Sequence, residues 1–368
     1  MKEFYSFDEF SIPFEVKALF WGLYIAVFIY AWKTLLSTIK YKEKKVVTVL
    51  FGVFFALYAV FYCINSDYFN YREWLSFADI YYWNKEKFYL YLVLFCRSLP
   101  FDYPFEVFRL IVWGGGIFLA YYTFRLYREL LLPGLTLLLL FVFHAGTFCY
   151  ARASLAMAVY FLGIALYLSN DKKLLKLLGI CVALLSYYFH HEMLVGIVLL
   201  PCLFIPFERK AMSFLSIFLL LVAIIAISFV SSNLEFLDQM FDNDVLSEKM
   251  EDFNEKEQKT FRLSTLIKYL KYFLSFYLIT KYCWKKKVPY SLKVMYRLTY
   301  GILMVSVAFM IVFGLRSVYT YRIMYISMIP LTLMIGYGYN KGYFTRMQLL
   351  VLMLIVLLNN STVIINAL

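Results

Sequence analysis

Three arginines stand at the ends of long apolar runs, where their side chains could bind an anion. Arg152 begins one run, and Arg316 and Arg322 flank the segment SVYTY near the C-terminus. An arginine in such a place can also extend its side chain to a polar interface without any functional role. Its planar fork of N–H donors nevertheless suits a phosphate or diphosphate. The three arginines therefore predict an anion-binding site.

The three histidines of the chain lie at the ends of neighbouring apolar runs. His190 and His191 are followed directly by Glu192, and His144 ends an earlier run. Such residues can cap a helix end or fill a polar gap. Alternatively, His190, with His191 or Glu192 beside it, takes a proton from a hydroxyl group. Adjacent histidines lack the spacing that presents two metal ligands on one helix face, so we expect no metal site.

A fourth polar segment, around residues 67–72, combines charge with aromatic side chains. It contains Asp67, Tyr71 and Arg72, and Tyr319 offers a similar aromatic group near the C-terminal arginines. Tyrosine rings have an apolar face and a polar tip, so they can stack on sugars and donate a hydrogen bond. We include these four residues as candidates for binding substrate.

The elements that position these residues are predicted to be membrane-spanning helices. Hydrophobic residues make up 63% of the chain and aromatic residues 21%, which excludes a water-soluble globular protein. The apolar runs, of roughly 18 to 22 residues, match helices that cross a bilayer core about 30 Å thick. The predicted fold is all-α, a polytopic integral membrane protein with about twelve transmembrane helices. The predicted spans are 14–36, 46–64, 105–124, 130–148, 153–168, 177–189, 193–207, 211–230, 263–280, 296–313, 323–339 and 347–365.

Lysine-rich loops set the predicted orientation of these spans. The loops at 40–45, 172–176 and 281–287 are strongly basic, and basic loops normally remain in the cytoplasm. Both termini and the candidate site residues then lie on the outer face. The net charge of +12 is explained by the cytoplasmic loops, so we expect no nucleic-acid partner.

We predict a single polytopic domain over residues 1–368 with two outer-face features. Residues 65–104 form an amphipathic or re-entrant segment, and residues 231–262 form an acidic loop. The six cysteines show no CxxC spacing, which argues against a disulfide framework or a zinc site. We expect no cofactor.

The stretch from 150 to 201 resembles the EpsG-type, Wzy-like polysaccharide polymerases. In that family an Arg opens a span, a Lys-bearing turn follows, and a Phe-His motif ends the next span; the matching residues here are Arg152, Lys172, Phe189 and His190. The segment DYFNY at 67–71 is similar to the family's Asp-x-x-Asn-Tyr element, and Tyr321-Arg322 to its late Tyr-Arg pair. The chain departs from the pattern at Ala153, where the family commonly carries Gln.

The resemblance implies a glycosyltransferase of O-antigen, capsule or exopolysaccharide synthesis. It would join repeat units carried on undecaprenyl diphosphate, at the outer face of the bacterial inner membrane. Its expected partners are that lipid-linked glycan and the bilayer, with a chain-length regulator as a further candidate. Arg152 and one of Arg316 and Arg322 would hold the diphosphate, and His190, with His191 or Glu192 nearby, would activate the acceptor hydroxyl.

Other classes of membrane protein fit part of the sequence. A flippase for lipid-linked oligosaccharides should carry charge within its spans along a central cavity, whereas the predicted spans are almost free of charge. A membrane O-acyltransferase would use histidine and arginine too, but it needs an acyl donor from the cytoplasm, where we predict no histidine. A purely structural membrane protein has no reason to gather its histidines at one face.

Overall fold

The computed structural model describes residues 87–100, 103–126, 151–169, 171–204, 263–284, 288–313 and 318–367, with scattered positions elsewhere. The predicted spans 14–36, 46–64, 130–148 and 211–230 lie wholly or largely outside the described residues. The acidic loop 231–262 lies outside them entirely.

The described residues between 87 and 126 form two helical runs that contact each other. Helix α1 spans Lys87–Ser98, and its 12 residues are too few to cross a bilayer. Helix α2, Pro104–Arg109, begins at a proline, which suits the first helical turn because proline has no N–H to leave unbonded. A π-helical turn, Leu110–Gly114, continues directly into α3, Gly115–Leu126. These last three elements together match the predicted span 105–124.

A tight helical hairpin follows. Helix α4 spans Ala151–Ser169 and α5 spans Lys173–Phe189. A 3₁₀ turn at His191–Met193 leads into α6, Leu194–Val198, and a second 3₁₀ turn, Leu200–Leu203, contains Pro201. The predicted span 193–207 is thus divided into short helical pieces in its described part. The proline at 201 cannot donate an intrahelical hydrogen bond, which explains the second break.

The C-terminal helices are longer. They are α7 (Leu263–Cys283), α8 (Tyr290–Phe313), α9 (Val318–Ile326), α10 (Met328–Asn340) and α11 (Arg346–Ala367). The predicted span 323–339 corresponds to α9 and α10, which are separated only at Ser327. The Ser327 hydroxyl donates to the carbonyl of Met324, so that the polar group at this break is satisfied within its own turn.

The described part of the chain is helical and contains no β-strand, which confirms the all-α prediction for these residues. Two described helices, over Arg152–Ser169 and Tyr290–Ile311, are long and apolar enough to cross a membrane. This agrees with a membrane protein. The total of about twelve spans remains a prediction.

Two glycines bring α4 and α5 into close contact. A methyl group added at Gly179 would lie 2.6 Å from the backbone nitrogen of Tyr167 and 2.7 Å from the carbonyl oxygen of Gly163. A methyl group at Gly163 would overlap the backbone of Ala183 in turn. Small residues at a helix crossing allow backbones to approach in this way inside a membrane. The glycines therefore fix how the two helices that carry Arg152 and His190 pack together.

Charged side chains are buried within three described helices. Arg109 in α2, Lys271 in α7 and Arg297 in α8 are 3%, 1% and 1% exposed. Arg109, Lys271 and Arg297 fall inside the predicted spans 105–124, 263–280 and 296–313. The expectation that the spans are almost free of charge therefore fails at these three positions. Arg297 lies next to the 3₁₀ turn at 200–203, where it donates to the carbonyl of Leu203 at 3.0 Å.

Candidate functional site

His190 ends α5 because its backbone is extended. Its φ and ψ are −165° and 127°, while its N–H donates to the carbonyl of Ser186, which closes the last turn of α5. The carbonyl of His190 accepts from the N–H of Met193 and opens the next 3₁₀ turn. The chain thus changes direction at His190, so that His190 and His191 project differently from the helix end.

Glu192 connects two of the predicted site residues. Its Oε1 accepts a hydrogen bond from Nη1 of Arg322 at 3.1 Å. Its Oε2 lies 3.3 Å from Nε2 of His190, close enough for an ion pair when the imidazole is protonated. The side chains of Glu192 and His190 are 15% and 14% exposed, and that of Arg322 is 36% exposed. The three residues form a partly buried array with Glu192 at its centre.

Two opposing effects act on the carboxyl group of Glu192. Burial alone would raise its pKa, but the contacts with His190 and Arg322 outweigh burial and lower the pKa below its usual value. Glu192 is therefore a carboxylate at neutral pH. It can orient the imidazole of His190 and hold the guanidinium of Arg322.

His191 takes a different direction from His190. Its ring stacks on Tyr187, with centroids 5.1 Å apart and an angle of 21° between the planes, and the residue is exposed. In the structure His190, rather than His191, faces Glu192. Among the described residues no three His, Cys, Asp or Glu side chains are grouped to hold a metal ion.

Arg152 lies in the first turn of α4 against two tyrosine rings. Its guanidinium carbon is 5.6 Å from the ring centroid of Tyr71 and 5.9 Å from that of Tyr89. The hydroxyl of Tyr89 also donates to the backbone carbonyl of Arg152 at 3.4 Å. Tyr71 and Tyr89 are 1% and 0% exposed, so they form a rigid support under the guanidinium. The N-terminal dipole of α4 adds to the positive potential at this place.

A hydrogen bond joins the Arg152 region to the helix that carries Arg322. The hydroxyls of Ser154 and Tyr325 are 2.7 Å apart, and these residues lie within one turn of Arg152 and Arg322 respectively. The 3₁₀ turn at 191–193 also packs against both α4 and α9. The structure therefore brings Arg152, His190, Glu192 and Arg322 to one end of the described helices.

The structure describes only some of the other candidate site residues. Tyr71 is buried against Phe108 and Trp113, with centroids 5.8 and 5.9 Å apart, which suits a support for Arg152 better than a surface for a sugar. Arg72 is exposed. Asp67 and Arg316 lie outside the described residues, and for Tyr319 only its place in α9 is described.

Sequence reasoning missed three side chains around the site. Tyr89 lies in a run that resembles ordinary apolar packing. Arg109 contacts the rings of Phe105 and Trp113, each 5.4 Å from its guanidinium carbon, and Trp113 in turn contacts Tyr71. Lys271 lies beside Tyr321, the neighbour of Arg322. The sequence did contain a signal for Arg109 and Lys271. Each stands within an apolar run, where a charged residue is costly and is commonly functional.

The fold and the array define a helical, membrane-type protein with arginine, histidine and carboxylate gathered at one end. The sequence model of the EpsG family matches residues 19–367. The chain therefore belongs to the EpsG family, which confirms the resemblance found in the sequence and supports a role in polysaccharide biosynthesis at a membrane. No curated protein and no solved structure matches the chain.

Proposed function

We propose that this protein is a polysaccharide polymerase, a glycosyltransferase that joins oligosaccharide repeat units carried on undecaprenyl diphosphate at the outer face of the bacterial inner membrane. The observation that carries the proposal is the array of Arg322, Glu192 and His190, with Arg152 at the same end of the helices. Membership of the EpsG family supports this type of reaction. The array supplies the two functions that the reaction needs, a base and fixed cations.

In the proposed reaction a hydroxyl oxygen of the acceptor sugar attacks the anomeric carbon of the donor repeat unit. A new glycosidic bond forms, and the bond from that carbon to the diphosphate oxygen breaks. Undecaprenyl diphosphate leaves with the bonding electrons, and the hydroxyl proton passes to the enzyme. Negative charge therefore develops on the leaving diphosphate as the bond breaks.

Arg152 is the proposed clamp for this charge. Its guanidinium lies over the buried rings of Tyr71 and Tyr89, which hold it in place. Its planar fork of N–H donors suits a phosphate. A group fixed in advance where charge develops stabilises the transition state more than the ground state. The proposal assigns Arg322 and Arg316 to the same diphosphate. Arg322 has the added role of holding Glu192.

His190 is the proposed base. When the Nε2–H of His190 donates a hydrogen bond to Glu192, Nδ1 carries the lone pair and can take the proton of the acceptor hydroxyl. Glu192 then stabilises the imidazolium that forms. Arg322 binds the same carboxylate, so it weakens the attraction between Glu192 and the imidazolium. It also keeps the carboxylate in place.

Purified protein in detergent or liposomes, given a lipid-diphosphate repeat unit, should produce a ladder of longer products. We expect Arg152→Ala and His190→Ala each to reduce chain extension by about a hundredfold or more, because each removes a group that acts in the transition state. Both variants should reach wild-type levels in the membrane. Gel separation of labelled products measures the ladder.

Arg346→Ala is the matched control, since Arg346 is an exposed arginine at the first residue of another helix, α11. It should extend chains at the wild-type rate. If the wild-type protein yields only translocated or acylated single units, the polymerase proposal is wrong and a flippase or an O-acyltransferase takes its place.

A further inference from the structure

Tyr89, the third residue of α1, is fully buried although it lies in a segment predicted to rest at the membrane surface. The sequence predicts an amphipathic or re-entrant segment over residues 65–104, and α1 is too short to cross a bilayer. The ring of Tyr89 nevertheless packs inside the protein. Its centroid lies 5.2 Å from that of Phe88 and 6.4 Å from that of Phe108. The start of α1 is therefore part of the protein interior.

The side chain of Tyr89 contacts Arg152 at two points. Its ring centroid is 5.9 Å from the guanidinium carbon, so the π face attracts the cation. Its hydroxyl donates to the backbone carbonyl of Arg152 at 3.4 Å, a long hydrogen bond that this oxygen can accept with its second lone pair. A long arginine side chain has many rotamers, and contacts at both of its ends reduce their number.

The start of α1 is also packed against the end of α5. The rings of Phe88 and Phe189 have centroids 4.0 Å apart, and Phe189 is the last residue of α5. Phe88 thus contacts α5, while the next residue, Tyr89, contacts the first turn of α4. The position of the Tyr89 ring under the guanidinium therefore depends on both helices of the hairpin.

We propose that Tyr89 is a positioning residue that holds the guanidinium of Arg152 in the orientation that binds the diphosphate of the lipid-linked substrate. This inference rests on the proposed function. Tyr89 acts through Arg152 and does not touch the substrate. A group that is already held in its bound orientation loses less freedom when the ligand arrives, so the ring contributes to both binding and rate. The short helix α1 is then part of the site.

The test is a double-mutant cycle between Tyr89 and Arg152. It compares the wild type, Tyr89→Leu, Arg152→Ala and the double variant, each purified and placed in lipid nanodiscs. The dissociation constant for radiolabelled undecaprenyl diphosphate is measured for all four, because binding can be followed even where chain extension is too slow to detect. The values of kcat and KM for chain extension are measured for the wild type and for Tyr89→Leu.

Two further variants separate the contacts. Tyr89→Phe removes the hydroxyl and keeps the ring. Tyr91→Leu is the matched control, because Tyr91 lies in the same helix but is 67% exposed. The unfolding temperature of every variant is recorded.

We expect Tyr89→Leu to weaken binding about fivefold and to lower kcat about tenfold, because the guanidinium loses the ring that holds it. Tyr89→Phe should stay within about twofold of the wild type, since the ring remains. When Arg152 is already alanine, Tyr89→Leu should change the dissociation constant by less than about twofold, because no guanidinium is left to position. Tyr91→Leu should match the wild type.

If Tyr89→Leu weakens binding by the same factor with and without Arg152, the role of Tyr89 is purely structural and the inference is overturned. Wild-type binding by Tyr89→Leu overturns it as well, while the wild-type ladder still upholds the polymerase. Where Tyr89→Leu accumulates poorly, Tyr89→Met repeats the cycle, since its flexible side chain refills the space without a ring. A wild-type protein that makes no ladder overturns the proposed function and this inference together.

Discussion

At the scale of single residues, Glu192 decides how the site is arranged. One carboxylate oxygen faces His190 and the other binds Arg322, so the negative charge holds both the proposed base and a cation. A neutral amide of the same shape would keep the volume but lose both attractions. The substitution Glu192→Gln, which removes the charge and keeps the shape, therefore tests the contacts with His190 and Arg322 together.

We expect Glu192→Gln to lower kcat/KM by about ten- to a hundredfold, because His190 loses the group that orients it.

The effect of Glu192→Gln on stability should depend on pH. The pKa of Glu192 is lowered in the folded state, so its stabilising effect is complete above the ordinary value of 4.5 and is lost as the pH falls through the lower folded value. Thermal unfolding of both proteins in detergent measures this difference.

Below about pH 4.5 the stability difference between the wild type and Glu192→Gln should shrink, because the carboxylate gains a proton there. A difference that has already vanished above that pH would contradict the lowered pKa of Glu192.

Arg152→Lys tests whether the planar fork or only the positive charge matters. Lysine keeps the charge but loses bidentate geometry and much of the stacking on Tyr71 and Tyr89. We expect a rate about tenfold below that of the wild type, and still above that of Arg152→Ala. Product ladders at saturating substrate measure it, with Arg346→Lys as the control. Equal rates for the Lys and Ala variants would show that the fork is essential and that charge alone contributes nothing.

Residue types predicted the main members of the site, but not their contacts. Arg152 and His190 stand out because polar groups are rare at these apolar helix ends. The ion pair between Arg322 and Glu192 joins residues 130 positions apart, which no local pattern encodes. The burial of Tyr71 under Arg152 likewise depends on Phe108 of α2 and Trp113 of the π-helical turn packing beside it.

At the scale of helices, the crossing of α4 and α5 controls the distance between Arg152 and His190. The backbones touch at Gly163 and Gly179, where no side chain fits. Hydrophobicity predicted the ends of α4, α5, α7 and α11 to within a few residues, but it did not predict the close contact between α4 and α5. The π-helical turn at Leu110–Gly114 and the break at Ser327 were not predicted, because neither contains a proline or a charge that marks it.

Gly163→Ala should destabilise the protein by about 1–3 kcal/mol, since the added methyl group overlaps the backbone of α5. We expect a lower unfolding temperature in detergent and reduced chain extension. Gly115→Ala is the matched control, because a methyl group there meets only a leucine side chain at an ordinary 3.7 Å. If Gly163→Ala unfolds at the wild-type temperature, the close crossing does not contribute to stability.

At the scale of the whole molecule, the topology sets which side of the membrane the site faces. Loop charge predicts that residues 172–176 are cytoplasmic and that the array at 190–192 is outside. The two helices over Arg152–Ser169 and Tyr290–Ile311 are long and apolar enough to cross a membrane. The order of the helices was predictable from the sequence, while the side that each end faces rests on the charge rule alone.

A single cysteine introduced within 240–258, in a background without the native cysteines, should react with a membrane-impermeant maleimide in intact cells. A cysteine at Lys173, in the predicted cytoplasmic turn, should react only after lysis. The native cysteines are removed because Cys181 is exposed. The opposite pattern of labelling would invert the topology and place the proposed site in the cytoplasm.

The contact between Glu192 and Arg322 also affects how the protein is made. Arg322 lies in α9, so the ribosome has synthesised most of the chain before the residue that holds Glu192 exists. The helices that contain Arg152 and His190 are synthesised earlier, when Arg322 is not yet present to complete the array. Under the proposed function, a fragment that ends before α9 should therefore insert into the membrane but show no chain extension.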